Sequence, residues 1–253
     1  MATERLLLHE LPAFFSPLHI LVVGSTLVEY NIHHLVNKPT AVGAVHMKGR
    51  SIWWYYGCGL IGAIGCLSVL PFVSIKVIIC LAVLGAISIT YSTPLLPFIS
   101  KKRLKDYGLI KITVLTSVWV IVTTILPVIY WNGDFSKLWL EILLRFLLIF
   151  PLCLAFDIRD VVVDAQNHID TLPNTIGVKA TYRLADVSLL LLCCEGFFQY
   201  FRRGEIKHLI IILVTAIAAK AVIRYSGKNA HNHVYLGLVD GIMLLYGLMV
   251  MFA

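Results

Sequence analysis

Charge is what this sequence lacks. Its 253 residues carry 21 lysines and arginines and 14 aspartates and glutamates, so 14% are charged, where a soluble domain has about 25%. The shortage runs from Leu11 to the last residue and leaves no stretch polar enough for a sizeable soluble domain. Cysteine chemistry is missing as well. Cys58, Cys66, Cys80, Cys153, Cys193 and Cys194 all sit in apolar runs, and none forms a Cys-x-x-Cys pair. That excludes a disulfide framework and a zinc site and leaves them as small buried hydrophobes. Met1 to Glu10 is mixed in charge and no small-residue cleavage site follows the first apolar run, so the N-terminus does not read as a cleaved signal peptide. The two halves do not repeat each other, unlike those of many transporters.

What is present is apolar length. Hydrophobic residues make up 59% of the chain and the mean hydropathy is +0.86. A spanning helix needs roughly 20 mostly apolar residues, because the hydrocarbon core is about 30 Å thick and each residue rises about 1.5 Å. Eight stretches qualify, at about 12–30, 52–72, 77–97, 112–131, 138–156, 184–201, 208–225 and 234–253. The expected fold is all-α: a polytopic transmembrane bundle of about eight helices, forming a single transmembrane domain over residues 1–253.

The net charge of +7 does not point to nucleic acid, because the basic residues cluster in short loops between apolar runs. The loops expected at about 31–51, 98–111, 157–183 and 226–233 hold Lys38, Lys48, Arg50, Lys101, Lys102, Arg103, Lys105, Lys111, Arg159, Lys179, Arg183 and Lys228. The opposite side holds Lys76, Lys137, Arg202, Arg203 and Lys207, twelve against five. The positive-inside rule makes the long loops cytoplasmic. Trp53, Trp54, Tyr55 and Tyr56, and at another level Tyr130, Trp131 and Trp139, mark the membrane interfaces.

Gly57-Cys58-Gly59-Leu60-Ile61-Gly62 matches the spacing of a dinucleotide-binding loop. That loop needs a preceding strand and a βαβ unit, whereas these glycines lie inside an apolar helix. There they let a second helix approach closely.

The chemistry-bearing segment is Phe156-Asp157-Ile158-Arg159-Asp160-Val161-Val162-Val163-Asp164. Aspartates at i, i+3 and i+7 share one face of a helix. Three carboxylates crowded together repel unless a cation lies among them, and Mg²⁺ suits oxygen ligands shared with substrate phosphates. The same residues could also be an ordinary solvated helix end, balanced by Arg159, Lys179 and Arg183.

Asp157-x-x-Asp160-x-x-x-Asp164 followed by Asp170-Thr171-Leu172-Pro173-Asn174-Thr175-Ile176-Gly177 resembles the second aspartate-rich motif of UbiA-type prenyltransferases. The Tyr91-Ser92-Thr93-Pro94 helix end and the basic loop after it are similar to the family too. The resemblance implies an integral membrane enzyme that binds a polyprenyl diphosphate with Mg²⁺ and transfers the prenyl group to an aromatic or lipidic acceptor. It implies that Asp157, Asp160 and Asp164 hold the metal and carry catalysis. Asn31, Lys101, Arg103, Lys105 and Arg159 are the candidates for the diphosphate.

The chain departs from the family pattern in three places. The first family motif has aspartates where Asn31-Ile32-His33-His34-Leu35-Val36-Asn37-Lys38-Pro39 has Leu35 and Pro39. His33, His34 and Asn37 are the substitutes at hand, and imidazole is a poor magnesium ligand beside carboxylate. Leu95 stands where the family often has a lysine, four residues after Tyr91. Only about eleven residues precede the helix that carries Asn31, so the family's first helix is expected to be missing and the N-terminus to lie outside the cytoplasm. These departures admit a second reading: a catalytically degenerate relative serving as a structural or lipid-binding subunit of a larger membrane complex.

Arg145, Glu195, Lys220 and Asp240 fall inside expected spans. A charge at mid-membrane costs at least ~2.5 kcal/mol on insertion scales, so each needs a partner. Depth pairs Arg145 with Glu195 and Lys220 with Asp240. His231 and His233 form a loop pair, which is weak grounds for a metal.

Overall fold

The computed structural model describes residues 3–4, 16–36, 52–92, 108–135, 138–166, 169–227 and 235–252. Among them, long helices stand in all eight expected stretches and no strand occurs. The chain divides into two compact units, Pro12–Ser92 on the one hand and Met1–Leu11 with Thr93–Ala253 on the other.

The smaller unit holds α1 (Pro17–Val36), α2 (Ile52–Val69) and α3 (Ile75–Ser92). A 3₁₀ turn, Leu70–Phe72, with Pro71 at its start, carries α2 into α3. The closest packing is between α1 and α2. A Cβ on Gly62 would lie 2.7 Å from the Gly24 carbonyl oxygen, and one on Gly24 would lie 2.7 Å from the Gly62 oxygen. These two glycines let the backbones touch, the role small residues play where lipid gives no hydrophobic drive to helix pairing. The sequence expectation for the Gly57–Gly62 stretch holds at Gly62. It does not extend to Gly57, where an added Cβ would meet nothing within 4 Å among the described residues. Leu60, Ile64, Leu67, Ile75, Ile79 and Val83 turn outward, which suits a lipid solvent.

The larger unit holds α4 (Gly108–Tyr130), α5 (Trp139–Gln166), the short α6 (Leu172–Thr175), α7 (Val178–Arg203) and α8 (Ile206–Ser226). It ends in α9, which opens as a π-helical turn, Tyr235–Val239, and runs on through Asp240–Met251. The four helices α4, α5, α7 and α8 are long and apolar enough to cross a membrane. Tyr56–Phe72, Ile75–Tyr91 and Gly237–Met251 are shorter apolar helices. α5 packs against α4 and α7, α7 against α8, and α8 against α9. Leu144, Leu148 and Leu152 of α5, Leu192 of α7, Ile212 and Ala219 of α8 and Tyr246 of α9 meet in the main core. Ile112, Leu154 and Leu172 belong to a second core between α4, α5 and α6.

Local chemistry explains the irregular turns. α4 widens into a π turn at Ile121–Ile125, just ahead of Pro127. Proline has no N–H to offer the carbonyl four residues back, and that carbonyl, on Thr123, accepts instead from the Thr3 hydroxyl. α7 ends on Gly204 at φ +73, whose N–H closes on the Tyr200 carbonyl at 2.8 Å, a left-handed stop that glycine adopts without cost.

Two boundaries differ from the sequence expectation. α5 does not stop at about 156 but continues to Gln166, so the acidic segment is helical, as its aspartate spacing implied, and lies within α5 rather than in a loop from 157. α1 likewise continues through residues 31–36. The expected charge pairs also change. Lys220 Nζ lies 3.5 Å from Asp186, which also takes Arg224, instead of pairing with Asp240. Arg145 donates to Thr3 at 3.4 Å and lies over the Tyr246 ring at 4.4 Å, while Glu195 accepts from Gln199. Helix rotation about its axis decides such pairings, and depth alone does not report it.

Candidate functional site

The last turns of α5 carry Asp157, Asp160 and Asp164, and the helix continues unbroken through all three. The structure divides them. Asp157, only 2% exposed, and Asp164 both turn to Lys111 on the first turn of α4. Lys111 Nζ is 2.9 Å from Asp157 Oδ1 and 3.3 Å from Asp164 Oδ2. Asp157 Oδ2 is buried, with no hydrogen-bond partner among the described residues. A buried carboxylate left unpaired is expensive, and the ammonium offsets that cost.

Asp160 is held separately. Arg159 Nε and Nη2 donate to its two carboxylate oxygens at 2.7 and 2.8 Å, the bidentate geometry that guanidinium favours. The same guanidinium lies 5.1 Å from the Phe156 ring centroid and 4.9 Å from that of Tyr235. Two aromatic faces fix its plane by cation–π attraction. Tyr235 is in turn anchored by its hydroxyl, which donates to the Ser226 carbonyl at 3.0 Å. Three carboxylates against Lys111 and Arg159 leave one negative charge, and Asp240 lies within electrostatic reach of Arg159.

The segment after the aspartates is the brace that brings Lys111 in. The Ile169 N–H bonds the Asp164 carbonyl at 2.9 Å, and the Asn174 side chain donates to the Ile169 carbonyl at 3.2 Å. Thr171, Leu172 and Pro173 are buried. The Asp170 carbonyl rests on Gly108, so closely that a Cβ there would lie 1.7 Å from its oxygen. Gly108 is three residues before Lys111, and Ile112 beside it shares the second core with Leu172. Gly177, at φ +86, then turns the chain into α7, a conformation that L side chains avoid.

The other candidates lie elsewhere. Asn31 is buried in the smaller unit, with Nδ2 donating to the Leu27 carbonyl at 2.6 Å. Lys101, Arg103 and Lys105 lie outside the described residues, as do His231 and His233. Arg159 is engaged with Asp160. Sequence reasoning missed Lys111, Phe156 and Tyr235. Lys111 counted only as a cytoplasmic-side loop charge, and nothing local to it signals a partner 46 residues on.

Among the described residues, no group of three or more His, Cys, Asp or Glu side chains is gathered to hold one metal ion. The donor chemistry fits a hard divalent cation all the same. Two carboxylates converge on a single cationic position, occupied here by Lys111 Nζ, and carboxylate oxygens are the ligands Mg²⁺ takes.

Comparison with known proteins agrees with this architecture. The family model described as the UbiA prenyltransferase family matches residues 32–249. No curated protein matched the sequence. Among solved structures, a UbiA homolog from Archaeoglobus fulgidus bound to Cd²⁺ is similar at a TM-score of 0.63 and 11% identity, covering 98% of this chain and 92% of that one. An apo UbiA homolog from Aeropyrum pernix K1 gives 0.57 and 15%, with 98% and 90% covered. A structure of digeranylgeranylglyceryl phosphate synthase gives 0.52 and 17%, with 92% and 80% covered. At these identities the likeness is one of fold.

Proposed function

The chain belongs to the UbiA prenyltransferase family, and from that premise we propose that it is an integral membrane prenyltransferase acting on a polyprenyl diphosphate and an aromatic or lipidic acceptor. The observation that carries the proposal is the convergence of Asp157 and Asp164 on one cationic position, with Asp160 held by Arg159 on the same helix. That the Archaeoglobus homolog is bound to Cd²⁺ supports a divalent ion in a chain of this fold. Asp157, Asp160 and Asp164 would hold Mg²⁺, which when bound would neutralise charge building on the leaving diphosphate.

The chain's own residues do the rest. Arg159, clamped by Phe156 and Tyr235, positions the Asp160 carboxylate. Lys101, Arg103 and Lys105 supply the cations that bind the diphosphate. The apolar residues on the same helix as the aspartates, Leu148, Leu152 and Ala155 among them, exclude water from the allylic cation left when the carbon–oxygen bond ionises. The long loops face the cytoplasm, where twelve basic residues lie against five on the other side.

Leu35 and Pro39 favour a second reading, a catalytically degenerate subunit of a membrane complex, because neither side chain can ligate a metal. Purified protein in detergent, given Mg²⁺ and a labelled prenyl diphosphate, separates the two. The transferase binds the ligand and releases diphosphate, and Asp160→Ala or Asp164→Ala abolishes the signal. Absence of binding and turnover at every chain length, with fixed partners co-purifying, selects the subunit.

A further inference from the structure

Two of the three carboxylates proposed above to hold the metal, Asp157 and Asp164, already share a cation of the protein itself. Lys111 Nζ is within hydrogen-bond distance of both Asp157 and Asp164, and its side chain is only 18% exposed. A divalent ion would bind the same carboxylates at about 2.0–2.1 Å, against the 2.9 and 3.3 Å that separate them from the ammonium. An ammonium and a divalent ion cannot both sit there, since they would repel across a few ångströms in a partly desolvated site. We propose that Lys111 is a built-in competitor for the metal: ammonium and divalent cation occupy the Asp157–Asp164 pair in turn, and the displaced ammonium binds the diphosphate.

The surrounding geometry supports an exchange. Lysine is a point charge on a flexible stem, and Lys111 sits on the first turn of α4, one turn from its start at Gly108. The carboxylates, by contrast, are fixed on one continuous helix. Asp160 has its own cation in Arg159, so displacing Lys111 leaves that pair intact. With the ammonium in place, the pair is partly neutralised without any ligand. Metal then enters most readily together with diphosphate, whose negative charge receives the displaced lysine. Binding of the two is thereby coupled, a reciprocal linkage between ligands. The inference rests on the metal-dependent reading of the site.

The test measures Mn²⁺ binding by electron paramagnetic resonance on the purified full chain in detergent, with and without inorganic diphosphate. Without diphosphate, Lys111→Met is expected to bind Mn²⁺ about tenfold tighter than wild type, the effect of removing one charged competitor. Lys111→Arg keeps a positive charge and is expected to stay near wild type. Diphosphate should strengthen Mn²⁺ binding to wild type more than to Lys111→Met. If Lys111→Met fails to fold, the diphosphate coupling in wild type carries the test, and its absence overturns the inference. If Lys111→Met binds Mn²⁺ no tighter than a wild type whose own binding is lost in Asp164→Ala, the competitor falls and the metal reading stands. If no protein binds Mn²⁺ even with diphosphate, both fall.

Discussion

Replacing Gly108 with alanine tests whether the strap after the aspartates places Lys111. The added Cβ would lie 1.7 Å from the Asp170 carbonyl oxygen and 2.7 Å from both the Asp170 carbonyl carbon and Thr171 Cα. Ordinary contact begins near 3.4 Å, so the Asp170 backbone must retreat by 3.4 − 1.7 = 1.7 Å. The obstructing atoms are main chain and cannot rotate away as a side-chain tip would. Overpacking typically costs about 1–3 kcal/mol, and a backbone clash belongs at the upper end, about 3 kcal/mol. Alanine's helix preference returns at most ~1 kcal/mol, and less here because Gly108 is the first residue of α4. A net loss of about 2–3 kcal/mol lowers a thermal midpoint by roughly 4–12 °C in a chain of this size. The assay is thermal unfolding in detergent, alongside Gly85→Ala, a mid-helix glycine with no described residue within 4 Å of an added Cβ. That control should hold or gain up to ~1 kcal/mol. Gly108→Ala should also weaken diphosphate binding, because moving the strap moves α4 and the lysine it carries. A midpoint for Gly108→Ala equal to that of Gly85→Ala would refute the contact.

Gly62→Ala should lower the midpoint in the same assay by the equivalent of about 1–3 kcal/mol, since its Cβ meets the Gly24 oxygen at 2.7 Å. Gly57→Ala should not, and equal shifts would remove the close α1–α2 approach. Arg159→Lys keeps the charge but loses the fork on Asp160 and the planar stacking between Phe156 and Tyr235. Diphosphate release should fall about tenfold with the midpoint little changed; full activity would show that Asp160 needs no such clamp.

The membrane bundle was legible in the sequence because hydropathy is a property of consecutive residues. A bilayer about 30 Å thick selects runs of roughly 20, and every expected stretch holds a helix. The placement of the three aspartates on one helix was legible for the same reason, since helical periodicity needs only the chain's own spacing, although packing turns two of them to Lys111 and leaves the third to Arg159. Even the role of Gly62 followed from its place in an apolar helix. The family likeness in Asp157 to Gly177 was likewise a matter of local order.

The cations that hold those aspartates were decided by packing. Lys111 meets Asp157 and Asp164 from 46 and 53 positions away, through a Gly108–Asp170 contact that no local pattern reveals. Lys220 finds Asp186 rather than Asp240, and Arg145 finds Thr3 and Tyr246 rather than Glu195. Sequence sets which residues lie at a given depth and on a given helix face. Which face meets which neighbour depends on how side chains from separate helices interdigitate, and that exists only once the helices have packed.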